Sequence, residues 1–402
     1  MTRGFLKSGH LPTLIAAFLY FDASFMVWVL LGPLGVAIAR DLHLSPAEKG
    51  LMVAVPVLAG ALLRVLLGLL VDRCRARRAA IGAQMAVIAG LLAAWAAHLD
   101  SLGGLFLLGT VLGLAGASFA AALPLASSWY PPEHQGTALG IAGAGNSGTV
   151  LAALFAPALA VALGWRNVVG LAALPLAAVL VLFIVLAKDS PAAPRPRPLA
   201  AYGRLLREWD AWWFMFLYAV TFGGFVGLAS SLTIYFNDAY ALPAVTAGTC
   251  TAAVVFAGSL VRPLGGAVAD RVGGARALTA LYAVAAAAFA AIATGLPALW
   301  LALAVFVVGM VALGMGNGAV FQLVPQRFRQ EIGVMTGLVG MAGGVGGFAL
   351  ASGLGAARQF TGGYGLGFLG YAALAAAAMV AIAGLRPRWR ARWLTQSGAA
   401  RI

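Results

Sequence analysis

Charge is what this sequence has least of. Of 402 residues only 9% are Asp, Glu, Lys or Arg, against about 25% in ordinary soluble domains. So few charges cannot cover the surface of so long a chain in water. A water-soluble globular enzyme, a disordered chain and a fibrous repeat are all excluded. Two cysteines rule out a disulfide scaffold or a multi-cysteine metal centre. Four histidines, His10, His43, His98 and His134, lie in separate terminal or loop regions, so no metal site is expected. No two acids share an apolar stretch, which leaves a membrane-embedded enzyme without clustered catalytic groups. There is no Gly-rich run ending in Gly-Lys-Ser or Gly-Lys-Thr, so no nucleotide and no other cofactor is expected.

Long hydrophobic runs are what it has instead, and 62% of the residues are hydrophobic. Twelve runs are long enough to cross a bilayer as helices: 12–39, 48–71, 79–98, 102–129, 135–163, 167–187, 210–237, 245–270, 276–295, 298–322, 332–357 and 364–384. The first is longer than the core of a signal peptide, and no small-residue cleavage site follows it. The expected fold class is all-α, a polytopic membrane protein.

A formal charge of +14 invites a nucleic-acid reading, until the basic residues are sorted by loop. Twenty of the 26 Lys and Arg fall on the side of the N-terminus, four (Arg40, Lys49, Arg166, Arg358) on the other, and Arg64 and Arg262 inside spans. By the positive-inside rule both termini are cytoplasmic. The positive charge then reads as topology and contact with anionic lipid, with no nucleic-acid partner. The basic, aromatic stretch from Arg388 to Trp393 reads as an interfacial anchor.

The longest polar interruption, 188–209, contains Pro191, Pro194, Pro196 and Pro198 and reads as a linker. The domains expected are a six-helix bundle over 1–187, a cytoplasmic linker over 188–209, a second bundle over 210–385 and a basic tail over 386–402. The halves repeat. RVLLGLLVDRCRARR, Arg64–Arg78, and RPLGGAVADRVGGAR, Arg262–Arg276, share Arg, Gly and Asp-Arg at one spacing, 198 residues apart. GIAGAGNSG, Gly140–Gly148, and GLVGMAGGVGG, Gly337–Gly347, match at nearly the same offset. Secondary transporters are built from such repeats, with substrate held at the midplane.

The loop Gly68–Arg78 resembles the signature between helices 2 and 3 of the major facilitator superfamily. Arg75 stands where that signature has its second glycine, and the copy keeps the glycine as Gly273. The resemblance implies the fold of that superfamily, with gating and structural roles for Asp72, Arg73, Asp270 and Arg271.

Arg64 and Arg262 hold matching places in the two halves, about eight residues or more from a span end. A charge at membrane depth costs roughly 2.5–3.5 kcal/mol on insertion scales. Repeat symmetry would bring the two guanidiniums to opposite walls of one cavity. Two planar forks suit a small planar oxyanion; the alternative is that each arginine snorkels or pairs with a carboxylate of its own half. Only Asp22 among the acids lies well inside a span, so the pocket is expected to be net positive. That disfavours sugars, cationic drugs and amino acids. In span 5 the glycines allow close helix approach. Asn146 adds an amide at mid-membrane, either toward a ligand or toward a neighbouring helix.

Ala142–Gly148 with Gly340–Gly347 resembles the paired nitrate signatures of the nitrate/nitrite porter family, the NarK/NasA-type branch of the superfamily. YAVTFGGFVGLA, Tyr218–Ala229, GLAGASFA, Gly113–Ala120, and the two arginines agree with it. The resemblance implies that Arg64 and Arg262 hold the anion's oxygens, and that Asn146 and Tyr218 add hydrogen bonds. It implies too that Phe119 and Phe222 stack on the anion's faces, and that Gly143, Gly145, Gly343 and Gly344 lie beside it. Where the family can place an aromatic in helix 1, this chain has Val27–Gly32, and Phe25 or Trp28 is left to serve. The function implied is transport of nitrate, nitrite or both across the inner membrane, by a protein that works as a monomer. It runs either as proton symport through Asp22 or as nitrate/nitrite exchange. The rival cargo is another small anion: formate, cyanate or a monocarboxylate.

Overall fold

The computed structural model describes residues 5, 8–191, 200–328 and 331–397. Among the described residues there is no strand, and twelve helices are long and apolar enough to cross a membrane. In chain order they are α1 (Leu11–Asp41), α2 (Pro46–Cys74), α3 (Ala76–Ala96), α4 (Leu102–Ser127), α5 (Thr137–Leu163) and α6 (Trp165–Leu186). The second set is α7 (Trp209–Tyr240), α8 (Ala244–Val272), α9 (Gly274–Ala293), α10 (Leu299–Arg327), α11 (Ile332–Thr361) and α12 (Gly365–Ala391). In hydrocarbon every backbone polar group must be satisfied within the segment, which is why these runs are helical. Each of the twelve expected spans falls on one of these helices.

The turns carry the repeat independently of the motifs. Eight described residues have positive φ: His43, Arg75, His98, Gly164, Ala241, Gly273, Gly295 and Gly362. They form four pairs, His43 with Ala241, Arg75 with Gly273, His98 with Gly295, and Gly164 with Gly362, spaced 198, 198, 197 and 198 residues apart. Each sits in a short link between consecutive helices, where one left-handed residue reverses the chain. Links of the same shape therefore recur in the same order in both halves.

By contact the chain divides into two compact units. One comprises Met1–Leu44, Val55–Pro198 and Leu232–Ala252; the other comprises Ser45–Ala54, Leu199–Ser231 and Ala253–Ile402. These are the two sequence halves with two segments exchanged. In the first unit, a Cβ on Gly248 of α8 would come to 2.7 Å from Pro157 Cγ of α5. In the second, a Cβ on Gly50 of α2 would come to 2.8 Å from Gly355 Cα of α11. Gly50 with Gly248, and Pro157 with Gly355, are again repeat mates, so the exchange is itself symmetric. Bare glycine backbone is what lets these helices meet so closely.

Several helices are interrupted where the site lies. Helix α5 passes through one 3₁₀ turn at Ala144–Ser147. Helix α8 restarts at Arg262, and Pro263, lacking an N–H, fits the first turn of the new segment.

Pro194, Pro196 and Pro198 of the expected linker, and residues 398–402 of the expected tail, lie outside the described residues. Within the described part of the tail the α12 helix continues to Ser397. Trp389 is buried, stacked on Phe214 at 5.2 Å, and its Nε1 donates to Asp210 Oδ1 at 3.0 Å. Arg327 donates to the same carboxylate at 2.7 Å and to Glu208 at 3.0 Å. The aromatic reading of an interfacial anchor therefore fails at Trp389, whose indole found a buried acceptor in the protein instead.

Candidate functional site: two arginines on aromatic walls

In the first unit Arg64 is 2% exposed. Its Nη2 donates to the Gly116 carbonyl at 3.0 Å, which fixes the plane of the guanidinium. Its Cζ lies 5.1 Å from the Phe119 ring centroid and 6.0 Å from that of Trp28. Aromatic faces attract such a cation at these distances. Trp28 is itself locked: Nε1 donates to the Pro56 carbonyl at 2.7 Å, and a Cβ on Gly60 or Gly116 would strike the indole. Phe25 packs on Trp28 at 4.7 Å, Phe21 on Phe25 at 4.2 Å, and Phe21 on Phe119 at 5.8 Å. Of the two helix 1 aromatics that the sequence left open, Trp28 lies 6.0 Å from the arginine, and Phe25 packs on it.

Asn146 lies in the 3₁₀ turn of α5 and is fully buried. Its main-chain carbonyl accepts from Thr149 Oγ1 at 2.8 Å, while neither side-chain amide atom has a partner among the described residues. A buried amide left unpaired costs about 1–3 kcal/mol. The neighbouring glycines divide. A Cβ on Gly145 would come within 2.9 Å of Phe18 O and Asp22 N, so this glycine serves the approach of α1 to α5. A Cβ on Gly143 would meet nothing within 4 Å.

Asp22 is joined to α5, because Ser147 Oγ donates to its Oδ1 at 2.7 Å. The Gly148 backbone N–H also faces its carboxylate. The contact is a hydrogen bond between neighbouring helices, one residue beyond Asn146.

In the second unit Arg262 Nη2 donates to Tyr218 Oη at 3.4 Å, and Cζ lies 5.8 Å from the Phe321 centroid. Tyr218 stacks on Phe222 at 5.1 Å with an interplanar angle of 4°, and meets Phe321 edge-on at 5.0 Å. Phe222 continues to Phe225 at 6.3 Å. Gly343 makes room for both Tyr218 and Phe222, whose rings would come to 2.8 Å from a Cβ there. Gly344 is buried beside it on α11.

Each unit therefore holds one arginine at the same place in its repeat, pressed on aromatic rings. Asp72 and Arg73 end α2, and Asp270 and Arg271 end α8, away from these arginines along their helices. Sequence reasoning missed Asn317 and Phe321 of α10. Asn317 is fully buried, and both its amide atoms are without a partner among the described residues. The signal was available in the repeat, since Asn317 stands 198 residues after Phe119.

A family model described as the Major Facilitator Superfamily matches residues 13–351. The chain is 38% identical over 348 residues to "Probable nitrate/nitrite transporter NarK2" of Mycobacterium tuberculosis, covering 85% of this chain and 87% of that protein. It is 32% identical to the "Nitrite extrusion protein" of Bacillus subtilis, covering 90% of each. It is 31% identical to "Probable nitrate/nitrite antiporter NarK1" of Thermus thermophilus, covering 89% and 87%. Among solved structures, nucleoside transporter NupG superposes with a TM-score of 0.72 at 14% identity, covering 93% of this chain and 99% of that one. A bacterial homologue of the human lysosomal transporter Spinster gives 0.69 at 18%, covering 98% and 99%. At such identities the two structures speak for the fold alone.

Proposed function

Because the chain belongs to the major facilitator superfamily, and within it to the nitrate/nitrite porter family, we propose that it carries nitrate and nitrite across the cytoplasmic membrane by alternating access. It is a multi-pass membrane carrier and not an enzyme. One observation carries the substrate reading: Arg64 and Arg262, at matching positions, are each laid against aromatic rings within the membrane-spanning helices. A flat, delocalised anion fits this chemistry. Its oxygens take the N–H edges of a guanidinium, and its faces tolerate apolar rings better than a strongly hydrated anion would.

In this reading the two six-helix halves each give one arginine to the same anion. Phe119 and Phe222 cover its faces, Asn146 and Tyr218 add hydrogen bonds at its rim, and Gly143, Gly343 and Gly344 leave it room. Gly145 supports the site by packing α1 on α5. The Asp-Arg pairs at the ends of α2 and α8 act in gating. Both termini face the cytoplasm, a reading supported by twenty Lys and Arg against four, and the monomer is the working unit.

Two modes of drive differ in one residue. Proton symport needs a group that exchanges a proton, and Asp22 is the acid placed for it, hydrogen-bonded to the turn that carries Asn146. Exchange of nitrate for nitrite needs none. Labelled nitrate and nitrite flux in proteoliposomes decides both questions. Uptake without trans anion that follows an imposed pH gradient means symport; uptake only with nitrite or nitrate on the trans side means exchange. If neither anion enters while formate, cyanate or a monocarboxylate does, the nitrate reading is wrong.

A further inference from the structure

Asn317 is a fully buried amide in the middle of a membrane-spanning helix, with no partner for either its N–H or its carbonyl among the described residues. Two such orphans on one side chain are expensive, since an unpaired buried polar group costs about 1–3 kcal/mol. Leucine at this position would avoid the cost in a helix whose residues up to Phe321 are otherwise all apolar. Polar side chains inside membrane spans are costly and mark ligand and ion pathways.

Its surroundings say what. Gly318, the next residue, sits directly on the main-chain carbonyl of Arg262, so Asn317 lies level with Arg262 along α10. Gly316, the preceding residue, faces Thr221 of α7, at 2.6 Å from Thr221 Cγ2 to a Cβ there. Phe321, four residues on, puts its ring 5.8 Å from Arg262 Cζ and 5.0 Å from Tyr218. Side chains four apart share a helix face one turn apart, so Asn317 belongs to the layer of Arg262, Tyr218 and Thr221. Arg262 Nη1 in that layer is also buried without a partner among the described residues. The repeat points to the same place. The residue 198 positions earlier is Phe119, whose ring lies 5.1 Å from the Cζ of Arg64. Where the first half sets an aromatic face on its arginine, the second has an amide, one turn from Phe321 on the same helix.

We propose that Asn317 is a ligand of the transported anion in the second half, donating its amide N–H to an anion oxygen beside Arg262. With Asn146 on α5, the carrier then offers one amide from each half as well as one guanidinium. This rests on the reading of the chain as a nitrate and nitrite carrier. An amide donor adds a hydrogen bond without adding charge, so it tightens the grip on an oxyanion while leaving the balance of charge in the site unaltered.

The test compares wild type with Asn317→Leu and Asn317→Asp, purified and reconstituted. Nitrate KM for uptake is measured, together with the melting temperature in detergent with nitrate or chloride. For Asn317→Leu the expected result is a KM raised about tenfold and a melting temperature in chloride no lower than wild type. The stabilisation by nitrate should shrink. Asn317→Asp keeps the shape, loses the donor and adds a negative charge, so nitrate uptake and nitrate stabilisation should both vanish in folded protein. A purely structural asparagine gives the reverse for Asn317→Leu, a lowered melting temperature in chloride with unchanged KM, and overturns the proposal. Should the leucine variant fail to fold, Asn317→Asp decides: a folded Asp variant with wild-type nitrate KM also overturns it. A wild type that neither transports nitrate nor is stabilised by it overturns both this inference and the reading beneath it.

Discussion

Arg75 holds a backbone conformation that its repeat mate fills with glycine, and that gives a stability prediction with a definite sign. Arg75 has φ 70° and ψ 153°; Gly273 has φ 94° and ψ 134°. Both join two helices through a single residue, and this part of the map is nearly closed to residues bearing a Cβ, at a cost of about 1–3 kcal/mol. Arg75→Gly removes that cost. It also gives the unfolded chain more freedom, which takes back about 0.5–1 kcal/mol. The expected net gain is about 1 kcal/mol. The right comparison is Arg75→Ala, which also loses the exposed guanidinium but keeps the Cβ. In a denaturation series in detergent the glycine variant should be the more stable of the two, and Gly273→Ala should be less stable than wild type. An Arg75→Gly protein no more stable than Arg75→Ala refutes the claim that this link is strained.

Three further outcomes follow from the site. Arg64→Lys keeps the charge but loses the planar fork and its bond to Gly116, and nitrate KM should rise tenfold or more; near-normal uptake would count against bidentate recognition. Asp22→Asn keeps an oxygen to accept from Ser147 Oγ, so the fold should stand, and uptake should cease to follow an imposed pH gradient if Asp22 moves the proton. Uptake by that variant that still tracks the gradient removes the residue from coupling. Gly148→Ala places a methyl on the Asp22 carbonyl, which overpacks the α1–α5 contact at a cost of about 1–3 kcal/mol; reduced thermal stability of the purified protein checks it.

The count of spans and the two arginines were legible because each is a large signal in a simple background. Twenty or so apolar residues in a row have few other uses, and one guanidinium inside such a run is conspicuous. Facing was not legible. A helix that is apolar all round shows no stripe to tell lipid from protein, so sequence could not say where Trp28 points. Its place is set by Gly60 and Gly116, which clear a slot for the indole, and by the Pro56 carbonyl that accepts its N–H. Trp389 misled for a related reason. A tryptophan among arginines has the composition of an interfacial anchor, and only Asp210, 179 residues away, turns it inward.

The two halves also show why a repeat is a better guide to place than to chemistry. Phe119 and Asn317, Asn146 and Gly344, and Arg75 and Gly273 are mates at a spacing of 198 residues, yet in each pair the residue types differ. The backbone could not drift far, because four helix links share their left-handed turns across the halves and glycine contacts such as Gly50 on Gly355 leave no slack. Side chains in the arginine layer were under no such constraint. At these positions one half carries an aromatic ring or an amide where the other carries an amide or a glycine. The arginines do not take part in this divergence: Arg64 and Arg262 stand at the same spacing, and each lies against aromatic rings of its own unit.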